Sequence, residues 1–222
     1  MNAQKPVIAI DGPAGAGKST IAKLVAGKLG YIYIDTGAMY RSVAWKFLQT
    51  GKPFSPELVE KLAQEMVITF KPEANANRVF VDGTEVTEAI RSPEVTAVVS
   101  RVSAVGGVRA EMVNQQRRMG EAGGVVMDGR DIGTVVFPHA QVKIFLTASV
   151  KERAMRRYKE MLAKGEQVDL AELEKQIASR DKQDSEREIA PLKQADDAEF
   201  LDTSDMTIDE VAEHILKAVQ EK

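Results

Sequence analysis

A glycine-rich loop near the start of the chain holds the residues best suited to chemistry. Residues 12–19, GPAGAGKS, follow the spacing G-x-x-x-x-G-K-[ST] between an apolar run and an amphipathic segment. In such a loop, backbone N–H groups can point towards phosphate oxygens and the lysine can reach the β- and γ-phosphates. The serine hydroxyl can ligate Mg²⁺. Because the strand–loop–helix context is also correct, we expect this loop to bind a nucleoside triphosphate.

Two later loops carry arginines and carboxylates at the ends of predicted strands. They are residues 35–41, DTGAMYR, and residues 128–131, DGRD. Ligands of parallel α/β sheets bind at the carboxyl ends of the strands, so we expect both loops to converge beside the glycine-rich loop. Aspartate and glycine are also common in ordinary turns, so neither loop alone indicates a site. Two such loops, each with an arginine, favour an anionic ligand.

A third group of arginines lies on predicted helices of the C-terminal third. The group comprises Arg153, Arg156, Arg157, Arg180, Asp184 and Arg187. Other charges are interspersed, which leaves open that these helix faces are simply solvated. The use of arginine rather than lysine favours phosphate contacts, because the planar guanidinium can bind phosphate through two hydrogen bonds.

These arginines bear on what receives a phosphoryl group. A hydroxyl acceptor needs a general base, whereas a phosphate acceptor is largely dianionic at neutral pH. The two histidines, His139 and His214, lie outside every motif, so a phosphate acceptor fits better. Three aspartates, Asp35, Asp128 and Asp131, keep a hydroxyl acceptor open.

The elements that must position these loops follow an α/β order. The first 50 residues read strand, helix, strand, helix, which predicts a parallel sheet with right-handed crossovers. Short β segments joined by turn residues within 64–90 predict an antiparallel insertion. Helices are predicted to start at Ser55, Ser92, Ser149, Asp169 and Thr207, each of which has the side chain of an N-cap.

Composition excludes several classes of protein. The 222 residues carry a formal net charge of −3, which argues against general affinity for nucleic acid or anionic membranes. The chain has no cysteine, so disulfides, thiolate metal sites and cysteine nucleophiles are excluded. No apolar run approaches the roughly 20 residues of a membrane helix. The start, MNAQKPVIAIDG, lacks the features of a secretory signal, and we expect a cytoplasmic enzyme.

Four segments, taken in order, resemble the bacterial cytidylate kinases: IDGPAGAGKST, DTGAMYR, MDGRDIGTVVFP and RDKQDSEREIAPL. The resemblance implies an α/β P-loop NTPase three-layer fold with a parallel central sheet, a small antiparallel β insertion and a helical lid. It implies one kinase domain, 1–222, with a discontinuous core at about 1–63, 103–154 and 169–222. The acceptor-binding insertion would span 64–102, and the lid 155–168.

The activity implied by the resemblance is phosphoryl transfer from ATP to CMP or dCMP, giving ADP and CDP or dCDP. The implied cofactor is Mg²⁺. The implied partners are these small-molecule substrates, with neither nucleic acid nor membrane, and the implied state is a monomer.

The resemblance also implies roles for individual residues. ATP would be bound by Gly12, Pro13, Ala14, Gly15, Ala16, Gly17, Lys18, Ser19 and Thr20. The acceptor nucleotide would be bound by Thr36, Gly37, Tyr40, Arg41, Ser100, Arg109, Arg130, Asp131, Arg180, Asp184 and Arg187. The catalytic residues would be Lys18, Arg130, Arg153, Arg157 and Arg187. The metal would be held by Ser19, with Asp35 or Asp128 acting through water.

Three alternatives remain open on the sequence. A hydroxyl kinase of the shikimate or gluconate type would use an aspartate base and would not need the antiparallel insertion. A P-loop ATPase switch would hydrolyse ATP slowly without an acceptor. A nucleoside monophosphate kinase could also prefer another base, as in UMP or AMP.

Overall fold

The computed structural model describes residues 5–73 and 77–222. The strands are β1 (Val7–Asp11), β2 (Ile32–Asp35), β3 (Ile68–Pro72), β4 (Asn77–Val81), β5 (Thr84–Glu85), β6 (Val125–Gly129), β7 (Val142–Thr147) and β8 (Glu199–Asp202). The α-helices are α1 (Lys18–Leu29), α2 (Thr36–Gln49), α3 (Pro56–Glu65), α4 (Pro93–Ser103), α5 (Gly106–Gly120), α6 (Val150–Ala163), α7 (Leu170–Glu186) and α8 (Ile208–Gln220). A 3₁₀ turn at Ala89–Arg91 and a π-helical segment at Ile132–Val136 complete the described elements.

The central sheet is parallel, with strand order β2-β6-β1-β7-β8. At its centre, Ala9 pairs with Met127 on one side and with Lys143 on the other. Every residue of β1 is buried, which explains its continuous apolar run, since helices cover both faces of a parallel sheet. The predicted three-layer α/β fold is therefore confirmed.

Two apolar clusters form the core, one on each face of the sheet. On one face, Val25 of α1 and Ile215 of α8 pack with Ile8 of β1. On the other face, Met39 of α2 and Met112 of α5 pack with the neighbouring strand residues. The alternating side chains of β1 thus divide between two helical layers, which hold the strand ends rigidly.

The predicted antiparallel insertion is present as the sheet β3-β4-β5. Ile68 pairs with Val81 across the first hairpin. Both side chains are buried in the same cluster as Met39 of α2, so the small sheet is packed onto the main body. Residues 74–76 lie outside the described residues, and so do residues 1–4, on which the predicted lack of a secretory signal partly rests.

The predicted helix starts are confirmed by their caps. The N-cap side chains of Ser55, Ser92, Ser149, Asp169 and Thr207 each accept a hydrogen bond from the backbone N–H three residues on. Only Thr207 forms the reciprocal capping box, with Glu210, among these five helices. Such local signals are readable from sequence because donor and acceptor are three residues apart.

Helices α6 and α7, which carry the third group of arginines, pack against each other. The short connection 164–169 joins α6 to α7, and Ala154, Leu173 and Ile177 form a small apolar cluster between them. Among the described residues, no helix is both long and apolar enough to cross a membrane.

Candidate active site

A cleft of about 720 Å³ opens at the carboxyl ends of β2 and β6. Its walls come from the glycine-rich loop, the start of α2, helix α4, the loop after β6, and helix α7. The predicted site residues that line it are Ala14, Gly15, Lys18, Ser19, Asp35, Thr36, Gly37, Tyr40, Arg41, Ser100, Arg109, Asp128, Arg130, Asp131, Arg157, Arg180, Asp184 and Arg187. The glycine-rich loop and helix α7, more than 150 residues apart in the sequence, thus meet at one cleft.

The glycine-rich loop is shaped by close packing against β7. A Cβ atom on Gly12 would lie 1.9 Å from the carbonyl oxygen of Leu146. Gly15 and Gly17 have φ of +75° and +88°, which L side chains rarely adopt. Loops of this kind use such conformations to gather backbone N–H groups around an anion, and the N-terminus of α1 favours an anion at the same place.

Lys18 lies buried beneath this loop. Its Nζ donates a 2.7 Å hydrogen bond to the Pro13 carbonyl oxygen. Burial lowers the pKa of Lys18 well below its usual range, and the charge of Arg130 lowers it further. A phosphate group bound in the cleft would raise this pKa again, because its negative charge stabilises the charged form of the lysine.

The first residues of α1 and the end of β6 meet in a cluster of hydroxyls and carboxylates. The Ser19 hydroxyl donates to Asp128 Oδ2 at 2.9 Å, and the Tyr33 hydroxyl donates to Asp128 Oδ1 at 2.8 Å. Burial raises the pKa of Asp128 to about 6, and the nearby charge of Asp35 raises it too. Asp35 itself caps α2, accepting from the N–H of Ala38 at 2.9 Å.

These oxygens suit Mg²⁺ as it is usually bound in kinases. A hydroxyl and one or two carboxylates fit an ion that keeps several waters and takes its other ligands from substrate phosphates. Among the described residues, no cluster of three or more His, Cys, Asp or Glu side chains could hold a metal by itself.

The cleft concentrates guanidinium groups opposite the glycine-rich loop. Arg130 Nε donates to Asp184 Oδ2 at 2.8 Å, and Arg41 Nη1 donates to the Thr96 hydroxyl at 2.9 Å. Burial lowers the pKa of Arg41 to about 10, with a further contribution from the charge of Arg180. Burial likewise lowers the pKa of Arg187, as does the charge of Arg109. Cations held this close to one another favour a multiply charged anion between them.

A buried ion pair lies deeper in the cleft. Arg109 and Asp131 are 3% and 5% exposed and are joined by a short hydrogen bond. The Arg109 guanidinium lies 5.1 Å from the centre of the Tyr40 ring. The nearby Arg187 Nη2 lies 4.0 Å from the other Asp131 oxygen and makes no hydrogen bond within the described chain. Together with Ser100, this pair offers donors and an acceptor to a planar polar ring.

Other predicted site residues lie around the cleft rather than in it. Gly12, Pro13, Ala16, Gly17 and Thr20 belong to the loop and the start of α1 but are not among the described residues that line the cleft. Arg153 is also absent from that lining. Its guanidinium pairs with Asp181 and donates to the Ala14 carbonyl oxygen at 2.9 Å, so it braces the loop against α7.

Four residues have roles at the site that the sequence motifs do not give. Arg91 reads as surface charge in the sequence, yet it lines the cleft and lies 3.3 Å from Asp35. Thr96 lines the cleft as the partner of Arg41. Tyr33 and Asp11 read as ordinary strand residues, but both hold groups of the site in place. Only the tertiary arrangement identifies them.

A phosphate-binding loop facing an arginine-lined cleft, on a parallel three-layer sheet, defines a P-loop phosphotransferase with an anionic acceptor. The profile of the cytidylate kinase family matches residues 8–221. The chain belongs to the cytidylate kinase family. This confirms the resemblance and the predicted class of reaction, phosphoryl transfer to a nucleoside monophosphate, and the hydroxyl-kinase and switch alternatives are not favoured.

Two curated relatives agree with this membership, and one solved structure agrees with the fold. Over 220 residues the chain is 53% identical to "Cytidylate kinase" from Ligilactobacillus salivarius (strain UCC118), covering 99% of this chain and 98% of that protein. It is 54% identical over 225 residues to "Cytidylate kinase" from Bacillus subtilis (strain 168), with the same coverage of 99% and 98%. The crystal structure of an uncharacterized protein from Eubacterium ventriosum ATCC 27560 matches with a TM-score of 0.54 at 13% identity. That match covers 99% of this chain and 100% of that chain, and it supports the fold alone.

Proposed function

We propose that the chain transfers the γ-phosphoryl group of ATP to the phosphate of CMP or dCMP, giving ADP and CDP or dCDP. One observation supports this proposal above all. The same cleft is lined by the glycine-rich loop with Lys18 and by three arginines, Arg41, Arg130 and Arg187. Family membership supports the same reaction.

ATP binds with its phosphates over residues 12–20 and the N-terminus of α1. The positive φ values at Gly15 and Gly17 aim the backbone N–H groups at the phosphates without a side chain in the way. Lys18 neutralises charge on the β- and γ-phosphates. Arg153 keeps the loop in this shape through its hydrogen bond to Ala14.

The acceptor phosphate binds among Arg41, Arg130 and Arg187. The three cations neutralise the dianion, and one of its oxygens attacks the γ-phosphorus in line. No general base is needed, because a phosphate monoester has lost most of its second proton at neutral pH. Catalysis then consists of positioning and charge stabilisation, which arginines supply without moving a proton.

The base of the acceptor binds at the buried ion pair. Cytosine has an amino group that needs an acceptor and a ring nitrogen and carbonyl that need donors. Asp131 supplies the acceptor, while Arg109 and Ser100 supply the donors. Uracil presents a carbonyl in place of that amino group, so it would face the carboxylate unfavourably. Arg180 and Asp184 hold the sugar, and Thr36, Gly37 and Tyr40 line the acceptor pocket.

Ser19 would hold Mg²⁺, with Asp128 or Asp35 acting through water. When bound, the ion supplies charge neutralisation for the β- and γ-phosphate oxygens. The chain contributes the hydroxyl and the carboxylate, and Tyr33 fixes the orientation of that carboxylate.

We propose that the insertion 64–102 and the lid 155–168 close over the substrates and exclude water, the rest of 1–222 being the core. An open site would allow ATP to hydrolyse in place of transfer. Arg157, exposed on α6 but lining the cleft, would approach the transferring group on closure, and Arg153 belongs to the same helix. We further propose that the enzyme works as a cytoplasmic monomer, with neither nucleic acid nor membrane as partner.

The test is an acceptor panel. The purified chain is supplied with ATP and Mg²⁺, and ADP release is measured with CMP, dCMP, UMP, AMP, GMP, shikimate or gluconate. We expect turnover mainly with CMP and dCMP. Turnover mainly with UMP or AMP would overturn the base assignment, and turnover with a hydroxyl acceptor would overturn the proposed reaction.

A further inference from the structure

Asp11, the last residue of β1, is a buried carboxylate that the proposed reaction does not use. It is 5% exposed and is not among the described residues that line the cleft. Its two oxygens accept hydrogen bonds from two backbone N–H groups, Oδ1 from Ile132 at 2.8 Å and Oδ2 from Gly133 at 2.7 Å. A carboxylate is costly to bury, so this contact is expected to have a specific role.

Those two N–H groups open the π-helical segment Ile132–Val136. The N–H groups of Val135 and Val136 both donate to the Asp131 carbonyl oxygen, at 2.9 and 3.2 Å. The first N–H groups of such a segment have no partner within it and are usually satisfied by the side chain of the N-cap residue. Here the N-cap residue is Asp131, and its side chain makes no capping hydrogen bond.

The Asp131 side chain is engaged in the cleft instead. It pairs with Arg109 and faces Arg187. A capping role would turn this carboxylate back towards its own segment and away from the acceptor. Asp11 takes over the capping and leaves Asp131 free for the cleft.

The loop is closely packed at both of its glycines. A Cβ atom on Gly133 would lie 3.4 Å from Asp11 Oδ2 and 3.1 Å from Cδ of Lys143. A Cβ atom on Gly129, before Arg130, would lie 2.7 Å from the Thr36 hydroxyl oxygen and from Ile132 Cδ1. The loop between Gly129 and Gly133 therefore has little room to shift while Asp11 holds its end.

We propose that Asp11 is a positioning residue for acceptor recognition: by capping the segment after Asp131, it fixes the loop that presents Arg130 and Asp131 to the acceptor nucleotide. The inference rests on the proposed function. It goes beyond that function in assigning a role in base discrimination to a carboxylate that does not touch the substrate.

The test compares Asp11→Asn and Asp11→Ala with the unaltered chain, measuring KM and kcat for CMP, UMP and ATP. The amide oxygen of asparagine can still accept one of the two N–H groups, whereas alanine accepts neither. We expect KM for CMP to rise about tenfold in Asp11→Asn and further in Asp11→Ala. The ratio of kcat/KM for CMP to that for UMP falls in the same order, while KM for ATP changes less than about twofold.

Two further variants separate positioning from general destabilisation. Gly133→Ala crowds the loop from the other side, because its Cβ atom would lie 3.1 Å from Cδ of Lys143 and in contact with Asp11 Oδ2. We expect it to raise KM for CMP, but less than Asp11→Asn does. Val211→Ala, on α8 in the opposite core cluster, lowers stability without touching the loop and should leave KM for CMP and the CMP-to-UMP ratio unchanged. If Asp11→Ala does not fold, Asp11→Asn and Gly133→Ala still show whether Asp11 positions the loop.

The outcomes are distinguishable from failure of the proposed function. If the unaltered chain does not phosphorylate CMP, the proposed function fails. If it does, but the Asp11 variants and Gly133→Ala keep its KM for CMP and its base ratio, the inference is wrong. An equal rise of KM for ATP and for CMP would also overturn it, because Asp11 would then serve the glycine-rich loop.

Discussion

At the scale of the residue, the site is built from buried cations and carboxylates. Burying either charge alone would cost free energy, and pairing the two offsets that cost. Arg109 and Asp131 are both buried, and each is the main compensation for the charge of the other. Removing one partner of such a pair leaves an unpaired buried charge, which costs more than the pair contributes. Substitution of either residue is therefore expected to lower the stability of the fold as well as the selectivity for the acceptor base.

The residue-scale prediction concerns Asp131→Asn. An asparagine oxygen can still accept from Arg109, but the charge that compensates the guanidinium is lost. We expect kcat/KM for CMP to fall about 100-fold and for UMP to fall less, so that the preference for CMP weakens. Steady-state kinetics with both acceptors provide the measurement. Asp82→Asn, which alters an exposed pair with Lys46, is the control and should leave both values unchanged. An unaltered CMP-to-UMP ratio in Asp131→Asn would contradict the assignment.

Residue roles were predictable where a motif encloses them. The sequence marks Lys18 and Ser19 because their spacing from the glycines is fixed by the loop. It does not give the role of Asp11, whose partners are 121 and 122 positions away, or of Tyr33, whose partner is 95 positions away. Arg91 reads as surface charge for the same reason, since only the fold brings it to Asp35.

At the scale of the element, close approach of backbone segments determines the shape of the phosphate loop. Gly12 lies where the loop passes the end of β7, and no side chain fits there. Gly30 illustrates a different use of glycine, because it ends α1 with a φ of +65° and faces open space. Gly12, with a φ of +149°, is needed for both space and conformation, and Gly30 is needed for conformation alone.

Substitution of these two glycines compares backbone strain combined with steric overlap, at Gly12, with backbone strain alone, at Gly30. Gly12→Ala would place a methyl group 1.9 Å from a carbonyl oxygen, so the loop must shift, and we expect ATP affinity to fall more than tenfold. Gly30→Ala meets only conformational strain, and we expect roughly 1–2 kcal/mol lower stability with unchanged ATP affinity. Nucleotide titration and urea unfolding measure the two quantities. Equal ATP affinities in the two variants would show that the packing against β7 does not shape the loop.

Elements were predictable to the extent that their signals are local. The five helix starts follow from N-cap side chains and are found at Ser55, Ser92, Ser149, Asp169 and Thr207. The π-helical segment at 132–136 was not predicted, because its sequence, IGTVV, is typical of a strand and its cap comes from a distant residue. The position of Arg153 beneath the loop likewise depends on Asp181 of another helix.

At the scale of the whole molecule, an apolar cluster packs on each face of the central sheet, and buried carboxylates lie at the carboxyl ends of its strands. These carboxylates, Asp11 and Asp128, are disfavoured by burial in their ionised form. Both carboxylates hold groups of the site, so burying them lowers the stability of the fold in favour of function. This compromise has a measurable dependence on pH.

The dependence can be isolated with Asp11→Asn. Burial raises the pKa of Asp11 from 3.8 to about 6, so the folded state holds this proton more tightly than the unfolded state does. The stabilising contribution is therefore complete below about pH 4 and is lost as the pH rises through 6. We expect the unfolding free energy of the unaltered chain minus that of the variant to fall by up to about 3 kcal/mol over this window. Urea unfolding at several pH values measures it, and because Asp128 is present in both chains its titration cancels. A difference that stays flat, or rises, between pH 4 and 6 would contradict the assignment.

The central claim is that the cleft passes a phosphoryl group from ATP to the phosphate of CMP. The most direct measurement separates the nucleotides by chromatography after the purified chain has acted on ATP, Mg²⁺ and CMP, and quantifies CDP, ADP and inorganic phosphate. We predict equal amounts of CDP and ADP, with little inorganic phosphate and almost no ADP when CMP is left out. ADP and inorganic phosphate formed at the same rate with and without CMP, and no CDP, would contradict the account.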